Sequence, residues 1–208
     1  IAYAGKLCAD LGADVTRIVS PADAPDTGTE DDEASALALY LDARKKSVAA
    51  DPTTDVGAAI LSELIAGSRV LFHGSRGLRA PDEIARKFPH LTVVSVTPFG
   101  LAGDARNWPA DDLTLQAYGG ISIGIGVAGQ PPLKLPGNQS AFQAGLAAAI
   151  AGVAELFTRG GAVVDVSAVD VWASFYSGVD VALAHFKRHA KRRAGHRVAG
   201  QPYPRAIY

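Results

Sequence analysis

With 208 residues, 48% of them hydrophobic and 20% charged, the chain has the composition of a soluble globular domain that can bury a sizeable core. A net charge of −1 gives no excess of cations for a nucleic-acid partner, and the longest apolar run, Leu146–Ala154, is too short to cross a bilayer. No charged-then-apolar leader is visible, and the single cysteine, Cys8, cannot form an internal disulfide, which points to a reducing, cytoplasmic setting.

In chain order, the spacing predicts a helix over residues 2–11, with Leu7 and Leu11 on one face and Gly12 just past its end. Cys8 sits in that helix as a packing residue. "DVTRIV" (14–19) alternates as a strand, and the Pro-, Asp- and Glu-rich stretch 20–36, with its acidic run at 30–33, reads as a solvated loop. "KSVAAD" (46–51) is a short strand, Thr53 or Thr54 caps a helix that runs to Ala66, and "RVLFH" (69–73) is the next strand. A short helix begins at Pro81, and "LTVVSVT" (91–97) has the continuous apolar character of a strand buried on both faces.

The second half opens with a helix over 111–118, a glycine-rich stretch "GGISIGIGVAG" and the Pro/Gly loop "PLKLPGN". A long helix, 139–159, then places Phe142, Leu146, Ile150, Val153 and Phe157 on one stripe, which is expected to be buried. A strand at 162–167, a helix to about His189 and a basic tail close the chain. Strands alternating with helices imply an α/β fold, Rossmann-like, with a mostly parallel sheet and helices on both faces. The chain holds no methionine and opens at Ile1 inside an expected helix, so the expectation is either a fragment or a sequence from which modified residues are missing.

Four blocks carry more than periodicity: "AGKLCADLGADVTRI" (4–18), "LDARKKSVAAD" (41–51), "PADDLTLQAYGG" (109–120) and "VVDVSAVDVWAS" (163–174). Their spelling and order resemble the family III CoA-transferases, the CaiB/BaiF group of formyl-CoA and carnitine CoA-transferases and 2-methylacyl-CoA racemases. The resemblance implies a large CoA-transferase-like domain over residues 1–200, lacking its first strand. Residues 201–208 would then begin the segment that leads to a small domain outside this chain. It implies CoA or an acyl-CoA as substrate rather than a resident cofactor, no metal, and either an interlocked homodimer or pairing with a related CoA-transferase half.

Residue by residue, the resemblance places Arg44 and Lys45 where the family meets the adenosine phosphate of CoA. By themselves these cations, with Lys46, read equally as a solvated basic turn. Gly74 and Ser75 replace an asparagine–aromatic pair that touches CoA in the family, and Arg76 matches its arginine. His73 is either a ligand or base, or a structural residue at a strand end.

In the transferases an Asp at the start of the long helix attacks the acyl-CoA carbonyl, four residues before a glycine. Counting back from Gly145 lands on Ala141, which has no nucleophile. The racemases pair that Asp with a His, and Asp111 holds its place. Asp112 matches an acidic residue close to the family nucleophile and is either a general base or the N-cap of its helix. Ser140 is the adjacent hydroxyl and needs a base to act.

Three readings stay open. The chain binds CoA thioesters as one half of an assembly whose other half holds the Asp; it runs a different CoA-dependent reaction with Ser140 or Asp112; or an unlisted residue has shifted the spacing. A nucleotide-dependent oxidoreductase or epimerase needs a Gly-rich fingerprint that the chain lacks, and a purely structural dimerisation module is the remaining alternative.

Overall fold

The computed structural model describes residues 1–19, 32–74, 80–125, 130–158 and 160–175. Helix α1 (Ala2–Asp10) leads through Gly12, at φ 96°, into β1 (Thr16–Val19). Helix α2 (Asp32–Asp42) corrects the expectation of a loop to residue 36: the backbone is already helical from residue 32. Strand β2 (Lys46–Ala49) pairs with β1 in parallel, Thr16 opposite Lys46. Helix α3 (Asp55–Ala66) is capped by Thr54, whose hydroxyl accepts from the Gly57 N–H at 3.0 Å.

Strand β3 (Val70–His73) pairs in parallel with β4 (Thr92–Thr97), and β4 also borders β5 (Val163–Ser167). Among the described residues the strands thus form two sheets, β1-β2 and β3-β4-β5, where one sheet was expected. Helix α4 (Pro81–Lys87) begins on the expected proline. The α/β class with parallel pairing and helical cover stands.

The three-stranded sheet is covered on both faces. On one, Leu71, Val93 and Val163 pack with Ile65 of α3 and Ile84 of α4. On the other, Val70 and Phe72 meet the long helix α6 (Gln139–Glu155) at Gly152, where an added Cβ would lie 3.2 Å from both. Alternation along β3 sends its side chains to opposite faces, so one short strand serves two layers.

Helix α6 inverts the expected stripe and ends at Glu155, four residues short of the expected Arg159. Its buried face consists of Ser140, Ala144, Gly145, Ala148, Ala149 and Gly152, whereas Ile150 is 62% and Leu146 40% exposed; Phe157, just past its end, is 89% exposed. Gly145 shows the reason: a Cβ there would sit 2.9 Å from the Tyr3 Cβ and 3.2 Å from the Ala4 amide nitrogen. Small residues let α1 approach α6 to near backbone contact, and bulky side chains cannot occupy that face. The same rule leaves Leu11 exposed while Ala4, Gly5 and Ala9 are buried in α1.

The chain divides into two compact units, one of residues Ile1–Thr97 with Ala144–Val166, the other of Pro98–Gln143 with the chain from Ser167 on. The expected helix beyond residue 175 and the basic tail lie outside the described residues. No helix among them is long and apolar enough to cross a membrane.

Candidate functional site

In the second unit, helix α5 (Asp112–Tyr118) meets the first turn of α6. Asp111 is the N-cap of α5, accepting from the Thr114 N–H and hydroxyl at 2.7 Å each. That overturns the N-cap reading of Asp112. The Asp112 carboxylate instead reaches across to α6 and accepts the Ser140 main-chain N–H at 2.7 Å, satisfying one of the four amides a helix start leaves unpaired. Gln116, one turn along, donates to the same carboxylate at 2.7 Å, and Lys134 does so at 3.0 Å.

Burial works to raise the Asp112 pKa, but hydrogen bonds from Ser140 and the Lys134 charge outweigh it and hold the carboxyl below its ordinary range. A carboxylate so occupied is a firm anchor and a poor proton acceptor. These contacts give Asp112 an anchoring role at the start of α6. Gln116 is fully buried; its oxygen accepts the Leu135 N–H at 2.7 Å, and Lys134 also donates to the carbonyls of Leu135 and Gly137. The Pro/Gly loop is thereby bound to α5 through its main chain.

Ser140 is 3% exposed. Its hydroxyl accepts the Trp172 indole N–H at 2.8 Å and faces the Asp112 main-chain oxygen at 3.4 Å. Trp172 reaches this place because α5 ends on Gly119, where a Cβ would lie 2.2 Å from the Trp172 Cβ. Ala141, next in sequence, is exposed. The geometry brings together Asp112 and Ser140, the two candidate catalytic residues. It adds Gln116, Lys134 and Trp172, which sequence reasoning did not single out; a polar Gln one turn after Asp112 among Leu and Ala was the available signal.

In the first unit, the turn between α2 and β2 separates the two predicted phosphate ligands. The Lys45 side chain is 3% exposed; its ammonium donates to the Ala2 carbonyl at 2.8 Å and lies 3.4 Å from Asp42. Burial pushes its pKa down, against the pull of Asp42. The expectation of an exposed Lys45 is thus corrected: its stem lies under α1, against Gly5. Arg44 is exposed and has φ 67°, the one positive value outside glycine among the described residues. A left-handed arginine costs about 1–2 kcal/mol that a glycine would not. Lys46 pairs with Asp14 on the surface, and Arg17 pairs with Asp42.

His73 is buried at the end of β3, and Gly74 follows it, where a Cβ would lie 3.4 Å from Ile1. Ser75 and Arg76 lie outside the described residues. Among those described, no group of His, Cys, Asp and Glu gathers in a way that could hold a metal.

Parallel strands covered by helices, with polar clusters at the loops, define an α/β protein of the class that binds ligands at strand ends. The chain belongs to CoA-transferase family III, whose family model matches residues 2–208. It is 32% identical over 191 residues to the succinyl-CoA:(R)-benzylsuccinate CoA-transferase subunit BbsE of Thauera aromatica, over 82% of this chain and 46% of that protein. It is also 32% identical over 167 residues to the cinnamoyl-CoA:phenyllactate CoA-transferase of Clostridium sporogenes, over 72% of this chain and 40% of that one. A CaiB/BaiF family protein from Brucella suis shares the fold, with a TM-score of 0.82 at 24% identity over 98% of this chain and 58% of that chain. The chain spans about half the length, or less, of the curated relatives it matches.

Proposed function

We propose that the chain binds acyl-CoA thioesters as one subunit of a family III CoA-transferase whose nucleophilic carboxylate belongs to a second chain. The observation that carries this reading is the start of α6. There the resemblance aligns exposed Ala141 with the family nucleophile, and the Asp112 carboxylate is committed to the Ser140 N–H, Gln116 and Lys134. On this reading the framework persists without its reacting group.

Two further points support it. Arg44 keeps a strained backbone and an exposed guanidinium at the position the family uses for the CoA phosphate, and such strain is retained where the side chain has work to do. The Thauera aromatica relative is itself called a subunit of a CoA-transferase. Its substrate and that of the Clostridium sporogenes enzyme are aryl-bearing acids, so aryl-substituted acyl groups are the first to try.

Calorimetric titration of the full-length protein with CoA, acetyl-CoA, succinyl-CoA and benzoyl-CoA tests the reading. Binding that weakens with added salt is expected, because phosphate contacts are charge contacts. A protein that binds none of them is a structural dimerisation module instead.

A further inference from the structure

Between β4 and α5 lies an aromatic group that takes no part in the polar cluster around Asp112. Phe99, Trp108 and Tyr118 meet pairwise with ring centroids 6.0, 5.4 and 6.3 Å apart and planes crossed at 74°, 80° and 72°. Trp108 remains 49% exposed and Tyr118 60%. Singly exposed apolar residues are ordinary, but rings pinned to one another with wet outer surfaces form a contiguous patch.

Edge-to-face contacts from two neighbours fix each ring before any ligand arrives, and crossed planes leave an outer face of each open. The loop is equally fixed: the Trp108 N–H donates to the Ala105 carbonyl at 2.9 Å, and Gly100 and Gly103 hold positive φ. Trp108 precedes Asp112 by four residues and Tyr118 ends α5, so the patch stands within roughly 10 Å of helix length from the α6 junction.

We propose that Trp108 and Tyr118 form a shelf that stacks a planar aromatic ring of the CoA thioester, an inference that rests on the thioester-binding reading. The ring has two possible sources with the same π-face chemistry, the nucleobase of CoA and an aryl group on the acyl chain. A protein partner fits less well. Two half-open rings offer on the order of 200 Å², against about 800 Å² per side in a stable interface.

The test is calorimetry on the full-length protein with CoA, acetyl-CoA and benzoyl-CoA, for the parent and for Trp108→Leu, Tyr118→Leu and Trp108→Phe. Leucine keeps apolar area and removes the ring; stacking of this kind accounts for roughly 5- to 100-fold in affinity. The leucine variants are expected to lose affinity in that range, and Trp108→Phe to keep most of it. Loss for acetyl-CoA and benzoyl-CoA alike assigns the shelf to the nucleobase; loss confined to benzoyl-CoA assigns it to the aryl group. Unchanged affinity for every ligand in both leucine variants overturns the shelf, as does a change of oligomeric mass in Trp108→Leu with affinity intact. A parent that binds none of the ligands defeats the thioester-binding reading itself, a result distinct from either.

Discussion

The turn between α2 and β2 and the junction of α5 with α6 each place two candidate residues side by side, and each splits the pair. In the turn, Lys45 is drawn under α1 and bonded to the Ala2 carbonyl, while Arg44 stands exposed on a strained backbone. At the junction, Asp112 is drawn onto the α6 amide, while position 141 stands exposed and carries only a methyl group. In both, the charge that is buried and hydrogen-bonded builds the framework, and its neighbour in sequence faces water. One such position still holds a functional group and the other does not.

The largest expected effect that sharpens this contrast is Asp112→Ala. It leaves the Ser140 N–H without its acceptor and takes one partner each from Gln116 and Lys134, and should cost about 2–4 kcal/mol in urea unfolding. Asp111→Ala removes only a local cap and should cost visibly less. Equal losses would break the distinction between anchor and cap. Lys45→Ala comes next, at about 1–3 kcal/mol, because it empties a buried stem and leaves the Ala2 carbonyl without its donor.

Arg44→Gly should behave in the opposite sense. Stability stays within about 1 kcal/mol of the parent, on the stable side, as relief of the left-handed strain is offset by a freer unfolded chain. CoA affinity falls at the same time, and its salt dependence becomes shallower. Loss of stability with affinity intact would make Arg44 a structural residue like its neighbour.

The smallest effect is in acid. Asp112 has a folded pKa held below its unfolded value, so its contribution is complete above the ordinary carboxylate range and is lost as pH falls through the lowered value. Asp112→Asn should flatten that part of the stability profile. An acid limb unchanged by the substitution would assign it to other carboxylates.

Much of the fold was legible because it rests on local signals. Pro81 at a helix start, Thr54 as a cap and the apolar run of β4 each act within a few residues. The buried face of α6 was not, because large apolar residues were taken to define the core. Contact with α1 and β3 selects Gly145 and Gly152 for their lack of a side chain, a requirement set by partners distant in sequence. The same limit applies at the junction: sequence brought Asp112 and Ser140 forward, but the roles of Gln116, Lys134 and Trp172 depend on contacts across 19 to 32 residues or on a helix face.

The central claim is that position 141 has lost the reacting group while its surroundings persist, and trapping the acyl group tests it most directly. The full-length parent and Ala141→Asp are incubated with succinyl-CoA, quenched with borohydride or hydroxylamine, and mapped by peptide mass spectrometry. The account predicts an unmodified parent and, in the variant, modification at residue 141, where a carboxylate would enter a frame already built around α6. Like-charge repulsion from Asp112 would raise the new carboxyl's pKa without protonating it at neutral pH. A parent acylated at Ser140 would contradict the account and make that hydroxyl the nucleophile.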